Sequence, residues 1–273
     1  MKYPDSLFMP FPNDTYDTDP ATPRYLIDRI FFGARIAFVP NVIGVILDGV
    51  RQAKRGEYTR ESFIRLSYDM LYHVEHGGGR IHITGLNHLR DNEGPFVIVS
   101  NHMSTMETFG FPSMVNQHHS CTFIVKQSLL SKGGFGHIMR AIDAIGVTRE
   151  NARQDLETVL QRGPEVLATG KTIIVFPEAT RQATFSAKRF NSIGVKLAKR
   201  AGVKIIPAAI KTNFWGNGMI LKDFGRFDWK SRDCYFSFGE PMEITGNGAE
   251  QHEECVRFIS EHFASWGGVV EKE

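Results

Sequence analysis

Two short runs of the chain hold residue types suited to taking a proton and to holding an anion. In the first, the apolar run PFVIVS leads directly into NHMSTMET, so Asn101 and His102 fall in a loop just past a buried strand, with Glu107 five residues after the histidine. A neutral imidazole can take a proton from a hydroxyl as that oxygen attacks a carbonyl. A carboxylate on the other ring nitrogen would fix the tautomer and stabilise the imidazolium. Ser104-Thr105-Met106-Glu107 also reads as a capping box, with Ser104 at the N-cap and Glu107 at N3. A residue in a first helical turn can point back toward the preceding loop, so both roles stay open for Glu107.

In the second run, TIIVF passes into PEATRQ. Pro177 ends the strand pairing, and Glu178 and Arg181 fall in the loop. Upstream, AIGVTRE places Arg149 after another apolar run. Two arginines in strand-end loops can fork onto a phosphate; solvation or pairing with nearby carboxylates is the other reading. A third feature is basic. Lys188, Arg189, Lys196, Lys199, Arg200 and Lys204 are interleaved with Phe190, Ile193 and Leu197 at helical spacing. Such a stretch either holds an anionic carrier or lipid headgroups, or is a solvated face whose apolar stripe lies in the core.

The elements that must position these residues follow from periodicity. Strands are expected at Arg80–Thr84, Phe96–Ser100, Thr122–Lys126, Thr172–Phe176, Ile205–Ile210 and Cys234–Phe238, with helices near 104–117, 150–169 and 186–201. That alternation predicts an α/β sheet flanked by helices, with ligands in the loops at strand ends. Residues 24–76 read as an amphipathic helical segment that stops at Gly77, Gly78 and Gly79. The division expected is an arm and helical segment over 1–79 and a catalytic domain over 80–273.

Composition narrows the function. At 273 residues, 42% hydrophobic and 23% charged, the chain is of ordinary globular type, and a net charge of +2 gives no sign of general nucleic-acid binding. Cys121, Cys234 and Cys255 are scattered and odd in number, which argues against a disulfide framework. His73 with His76, and His118-His119 with Cys121, lack a further metal-ligand pattern. GPEVLATGKT fails as a phosphate loop because Glu165 stands where glycine is needed, and there is no GxSxG elbow. No signal peptide opens the chain, and the most apolar stretch, Ile36 to Leu47, is too short to span a bilayer and is interrupted by Pro40 and Asn41.

Taken together and in this order, the runs resemble the conserved blocks of the PlsC-like glycerophospholipid acyltransferases. NHMSTME resembles their NHxSxxD block, GVTRE the block ending in arginine, FPEATRQ their FPEGTRS block, and IIPAAI, with Pro207, the fourth; SFGEPMEI resembles a strand and turn near the family's C-terminal end. The likeness covers roughly residues 80–245. It implies an α/β fold with a mixed sheet, and transfer of an acyl group from acyl-CoA or acyl carrier protein to a hydroxyl, without a metal or organic cofactor. His102 would be the general base and Glu107 its orienter; Arg149, Glu178 and Arg181 would bind the acceptor, often a phosphate-bearing glycerolipid. Three positions depart from the family: Glu107 for the commoner Asp, Thr148 for an Asp before the arginine, and Ala179 for the Gly of FPEGTR.

The expected function is therefore O-acyl transfer to a lysophospholipid-like acceptor. A thioester or ester hydrolase, or transfer to a non-phosphate lipid or secondary-metabolite acceptor, are the alternatives. Residues 24–57 are expected to hold the chain on the cytoplasmic face of a membrane, peripherally or monotopically. Phe31, Phe32, Ile36, Phe38, Val42, Ile43 and Ile46 would supply the apolar contact and Arg29, Arg35, Arg51, Lys54 and Arg55 the charge.

Overall fold

The computed structural model of the chain describes residues 9–31, 35–131, 133–218 and 225–271; the start of the expected irregular arm, 1–8, and Phe32 lie outside them. In chain order the strands are β1 (Tyr16–Asp17), β2 (Arg80–Thr84), β3 (Val97–Ser100), β4 (Cys121–Lys126), β5 (Ile145–Val147), β6 (Thr172–Val175), β7 (Ile205–Lys211) and β8 (Asp233–Phe238). The helices are α1 (Leu26–Ile30), α2 (Phe38–Arg55), α3 (Arg60–Gly77), α4 (Leu86–Arg90), α5 (Met106–Val115), α6 (Ser128–Ser131), α7 (Phe135–Ala141), α8 (Ala152–Ala168), α9 (Ile193–Ala201) and α10 (Ala249–Ser265).

Every residue of β3 and β6, and all of β7 but its last, is buried. Strands covered by helices on both faces carry continuous Val and Ile runs rather than alternation, which is why these three are conspicuous in the sequence. The sheet order is β1-β2-β8-β7-β3-β6-β4-β5. Strands β7, β3, β6, β4 and β5 run parallel to one another, while β8 is antiparallel to β7 and β2 is parallel to β8, so the sheet is mixed. In the centre, Val99 stands level with Val175 on one side and Pro207 on the other. The chain therefore leaves β3, β6 and β7 at one edge of the sheet, side by side.

Two strands were not expected. β1 is only two residues long and pairs antiparallel with β2, within what reads as an irregular arm. β5, three residues, is the apolar run before Arg149. The helix expected over 186–201 is also shorter, beginning at Ile193. The side chain of Asn191 explains the late start: its Oδ1 accepts from the backbone N–H of Ile193 at 3.0 Å, as residues that favour helix starts do, and its amide donates to the carbonyl of Pro177.

The segment 24–76 forms α1, α2 and α3. Thr59 caps α3, its hydroxyl accepting from the N–H of Ser62 at 3.1 Å, and the helix closes on Gly78 at φ 107°. α2 is amphipathic, but its faces divide differently from the expectation. Phe38 and Val42 are fully buried, with Phe38 packed edge-on against Trp215 and Phe227, so they belong to the core rather than to a membrane face. Leu26, Ile27, Ile30, Phe31, Ile36, Ile43 and Leu47 are exposed. Among the described residues no helix is long and apolar enough to cross a membrane.

Candidate active site

The site gathers at the edge where β3, β6 and β7 end. His102 lies two residues past β3 and is buried, 8% exposed. Asn101 locks the loop to the neighbouring strand: its amide donates to the carbonyl of Ile210 at 2.8 Å and its Oδ1 accepts from the N–H of Ile210 at 2.9 Å. The backbone N–H of His102 donates to Glu178 Oε2 at 3.1 Å, and its carbonyl accepts from the N–H of Gln182 at 2.7 Å. One face of the imidazole stacks on Phe176 at 4.3 Å between ring centres. The ring thus has little freedom to rotate.

Glu107, with no exposed surface, stands against the ring at 2.8 Å from His102 Nδ1 to Oε1. Oε1 also accepts from the backbone N–H groups of Met103 at 2.6 Å and Ser104 at 2.7 Å, and Oε2 accepts from the hydroxyls of Ser104 at 2.8 Å and Thr212 at 2.6 Å. Burial alone would raise the pKa of Glu107. The hydrogen bond and charge of His102, with the donors from Thr212 and Ser104, outweigh it and hold the carboxyl below the usual value. An ionised carboxylate only accepts, so Nδ1 carries the hydrogen and Nε2 is left to take a proton.

Both readings of Glu107 hold at once. Its Oε1 reaches the Ser104 N–H while the Ser104 hydroxyl accepts from the N–H of Met106 at 3.0 Å; this resembles the expected capping box, but the N-cap is Thr105 rather than Ser104, and the hydroxyl bonds Met106 rather than the N–H of Glu107. The same oxygen faces His102. The extra methylene of Glu relative to Asp does not break the contact with the histidine.

The half of the site that holds the arginines is built differently. Arg149 follows β5 in the left-handed conformation, φ 63°. Asp155, in the first turn of α8, holds that loop: it accepts from the N–H groups of Thr148 and Arg149, each at 2.7 Å, and from the Thr148 hydroxyl at 2.9 Å. Thr148 is thus engaged with an acid from α8 where the family often carries an acid of its own. Burial and the nearby charge of Arg181 lower the pKa of Arg149, with Asp155 acting in the opposite sense. Arg181 donates to Asn217 Oδ1 at 3.1 Å, and the Asn217 amide donates to the carbonyl of Met103 at 2.9 Å, so this arginine is tied to the His102 loop through one side chain.

Glu178 is 7% exposed. Its Oε1 is buried with no hydrogen-bond partner among the described residues. Burial pushes its pKa up to about 7, against the opposing pull of the His102 N–H. Beside these residues lies a cavity of about 480 Å³, walled by apolar Ile124, Val147, Leu156, Val175 and Phe176, with Arg149 and Lys196 also on its wall. Phe176 both lines the cavity and stacks on His102, so the imidazole is linked to the cavity through that one ring and is not itself on the wall.

The structure brings His102, Glu107 and Glu178 into direct contact or within one residue of it, joins Arg181 through Asn217, and places Arg149 on the cavity wall. The basic run divides. Phe190 and Leu197 are buried, Arg189 pairs with Glu271 at 2.7 Å and Lys204 lies 3.8 Å from Glu243, while Lys196, Lys199 and Arg200 are exposed. Sequence reasoning did not pick out Thr212, Phe176, Asp155 or Asn217. Thr212 had a readable signal: it follows β7 as His102 follows β3, and neighbouring parallel strands deliver their next residues to one edge. Among the described residues no group of three or more His, Cys, Asp and Glu side chains is arranged to hold a metal ion.

A histidine bonded to a buried carboxylate, at the strand ends of a mixed α/β sheet and near an apolar cavity, can take a proton from a hydroxyl or from water as either attacks an acyl group. Comparison with known proteins agrees. Residues 80–211 match the family model described as Acyltransferase. The chain is 32% identical over 195 residues to a 1-acyl-sn-glycerol-3-phosphate acyltransferase of Pseudomonas aeruginosa, covering 68% of this chain and 70% of that protein. It is 28% identical to the alpha form from Ovis aries, covering 69% of this chain and 63% of the relative. The fold is shared with the crystal structure of the 1-acyl-sn-glycerophosphate acyltransferase PlsC from Thermotoga maritima, at a TM-score of 0.62 and 17% identity over 90% of this chain and 99% of that one. The chain belongs to the PlsC-like acyltransferase family and is an acyltransferase.

Proposed function

We propose that the protein transfers a fatty acyl group from acyl-CoA or acyl carrier protein to a hydroxyl of a lysophospholipid-like acceptor at a membrane surface. The observation that carries this reading is the placement of the His102–Glu107 pair beside an apolar cavity with Arg149 on its wall. Nε2 of His102 takes the acceptor's hydroxyl proton as the oxygen attacks the thioester carbonyl. The tetrahedral intermediate then collapses, the C–S bond breaks, and the imidazolium returns its proton to the thiolate. Each proton and electron pair is accounted for by the two substrates and the histidine, so the scheme uses no metal or organic cofactor. Arg149, Arg181 and Glu178 form the acceptor side, with a guanidinium suited to a phosphate monoester. That the relatives are named 1-acyl-sn-glycerol-3-phosphate acyltransferases supports that choice of acceptor.

The exposed apolar residues of α1 and α2, with exposed Arg29, Arg51 and Lys54 nearby, support peripheral attachment. We place that attachment on the cytoplasmic face. The test uses labelled acyl-CoA and acyl carrier protein with lysophosphatidic acid, a monoacylglycerol and no acceptor, each with and without anionic vesicles. Labelled diacyl product from the phosphate-bearing acceptor is expected. Release of free fatty acid at the same rate in every mixture would make the chain a hydrolase and overturn the proposal.

A further inference from the structure

The Glu107 carboxylate bridges two elements distant in sequence. One oxygen serves His102 and two N–H groups of its own loop; the other is gripped from outside that loop by Thr212, one residue past β7. Thr212 has no exposed surface, and its hydroxyl lies 2.6 Å from Glu107 Oε2 and 3.1 Å from the Ser104 hydroxyl. Each hydroxyl owns a single hydrogen, and both are directed at Oε2, where a charge-assisted bond gains most. Thr212 is a poor candidate for a purely structural role, since among the described residues its hydroxyl meets only Glu107 and Ser104. The Ser104 hydroxyl, by contrast, also accepts from the backbone N–H of Met106.

The need for such a grip follows from the residue type at position 107. A glutamate has one more rotatable bond than an aspartate, and its terminal torsion is broad. The Ser104 hydroxyl and the two loop N–H groups move with the loop that carries His102. That loop is itself fastened to β7 by Asn101, but among the described residues Thr212 is the one donor that ties the carboxylate directly to the end of the central sheet.

We infer that Thr212 is a positioning residue for acyl transfer, fixing the Glu107 carboxylate so that it orients the His102 ring. This rests on the reading of His102 and Glu107 as the proton-handling pair. Valine matches threonine in shape and removes only the hydroxyl. Losing a hydrogen bond to a charged group costs roughly 10- to 100-fold, and a loss of up to that order in kcat is expected for Thr212→Val. KM for donor and acceptor should stay within about twofold, because Thr212 touches neither in this scheme. Because the Thr212 bond helps hold the Glu107 pKa down, the low-pH limb of kcat/KM should also move to higher pH in the valine variant. Thr212→Ser keeps the hydroxyl and should recover most of the rate.

A double-mutant cycle decides whether the effect runs through Glu107. In a Glu107→Gln background the further change Thr212→Val should cost much less than it does alone. Full independence of the two losses would overturn the inference, as would a Thr212→Val enzyme with wild-type kcat. If the serine variant were as slow as the valine variant while melting normally, the hydroxyl would not be the operative group and the inference would fall. Glu107→Gln alone separates this from failure of the underlying reading: wild-type turnover in that single variant would remove the His102–Glu107 pair itself.

Discussion

Two carboxylates stand on either side of His102, and they live in opposite surroundings. Glu107 accepts five hydrogen bonds, from the His102 ring, two backbone N–H groups and two hydroxyls, and is held ionised despite having no exposed surface. Glu178 accepts one, from the His102 N–H; its other oxygen is buried without a partner, and burial pushes its pKa up to about 7. The same residue type, bonded in both cases to His102, is favoured as an anion in one place and pushed toward neutrality in the other by burial and the number of donors that reach it. The half of the site that handles the proton is saturated with bonds. The acceptor half keeps an unmatched oxygen and two left-handed residues, Arg149 at φ 63° and Ala179 at φ 59°. On the proposed mechanism, preorganisation is concentrated where charge would develop during the reaction.

The sharpest way to break that comparison is to remove the saturated half. His102→Ala should lower transfer by about 100- to 10,000-fold, the usual contribution of a general base, with the melting temperature little changed. Glu107→Gln should also slow turnover strongly, although Gln serves at N3 of a capping box and keeps the helix start. Steady-state kinetics with a thermal melt on each variant is the check. A His102→Ala enzyme keeping more than about a tenth of wild-type activity would remove the base from this position.

On the acceptor side the loss should fall on a different parameter. Arg149→Ala should reduce kcat/KM for a phosphate-bearing acceptor by about 10- to 100-fold, the worth of a charged hydrogen bond, while KM for the thioester stays put. Arg149→Lys should recover only part of it, lacking the planar fork. Arg181→Ala should also disturb the His102 loop, because Arg181 reaches Met103 through Asn217. A drop in kcat as well as acceptor affinity is therefore expected for Arg181 but not for Arg149. Unchanged acceptor kinetics in both alanine variants would move the acceptor elsewhere.

What could be read from the sequence follows the same division. PFVIVS and TIIVF stand out because a strand buried on both faces must be continuously apolar, and His102 and Glu178 are marked by their place just after such runs. The dual role of Glu107 could be posed but not resolved, because both roles need only a first-turn acid; the 2.8 Å contact with His102 Nδ1 is a matter of loop geometry. Thr212 lies 105 residues from Glu107, and nothing local in KTN suggests a partner so distant. β1 and β5 were missed because two or three residues show no periodicity. Phe38 and Val42 were assigned to a membrane face from their composition. Which face of α2 looks inward depends on Trp215 and Phe227, far along the chain.

The contrast between the carboxylates also predicts how stability depends on pH. Glu178 in the folded protein keeps its proton up to about 7, well above where an unfolded chain would release it. Between those values the native state binds more protons than the unfolded state, so wild-type stability falls as the pH rises through that window. Glu178→Gln has no such proton to lose. At about pH 5 variant and wild type should melt at similar temperatures, and by about pH 8 the variant should gain on the order of 5 °C, given about 1.4 kcal/mol per pKa unit and a few degrees per kcal/mol in a chain of this size. Differential scanning fluorimetry across that range measures it. A gap independent of pH would mean that Glu178 is ionised throughout and that the two carboxylates do not differ as argued.

The smallest effect expected lies at Ala179, in the loop that carries Glu178. The family block resembled by FPEATRQ has glycine at this position, and here the alanine takes φ 59°. For an L-residue with a Cβ that conformation costs roughly 1–2 kcal/mol, which glycine avoids. Glycine in turn loses about 0.4–1 kcal/mol through the greater freedom of its unfolded chain. The balance favours Ala179→Gly by somewhat under about 1 kcal/mol, a rise in melting temperature of about 2 °C. The methyl group also lies on the wall of the cavity that Arg149 lines. Kinetics therefore separate two reasons for glycine at this position. If only the left-handed backbone matters, Ala179→Gly melts higher and its acceptor KM is unchanged. If the methyl meets the acceptor, KM shifts as well, and the family's glycine then serves close approach of backbone to ligand. A fall in melting temperature would contradict the backbone account outright, because relief of the left-handed alanine can only raise it.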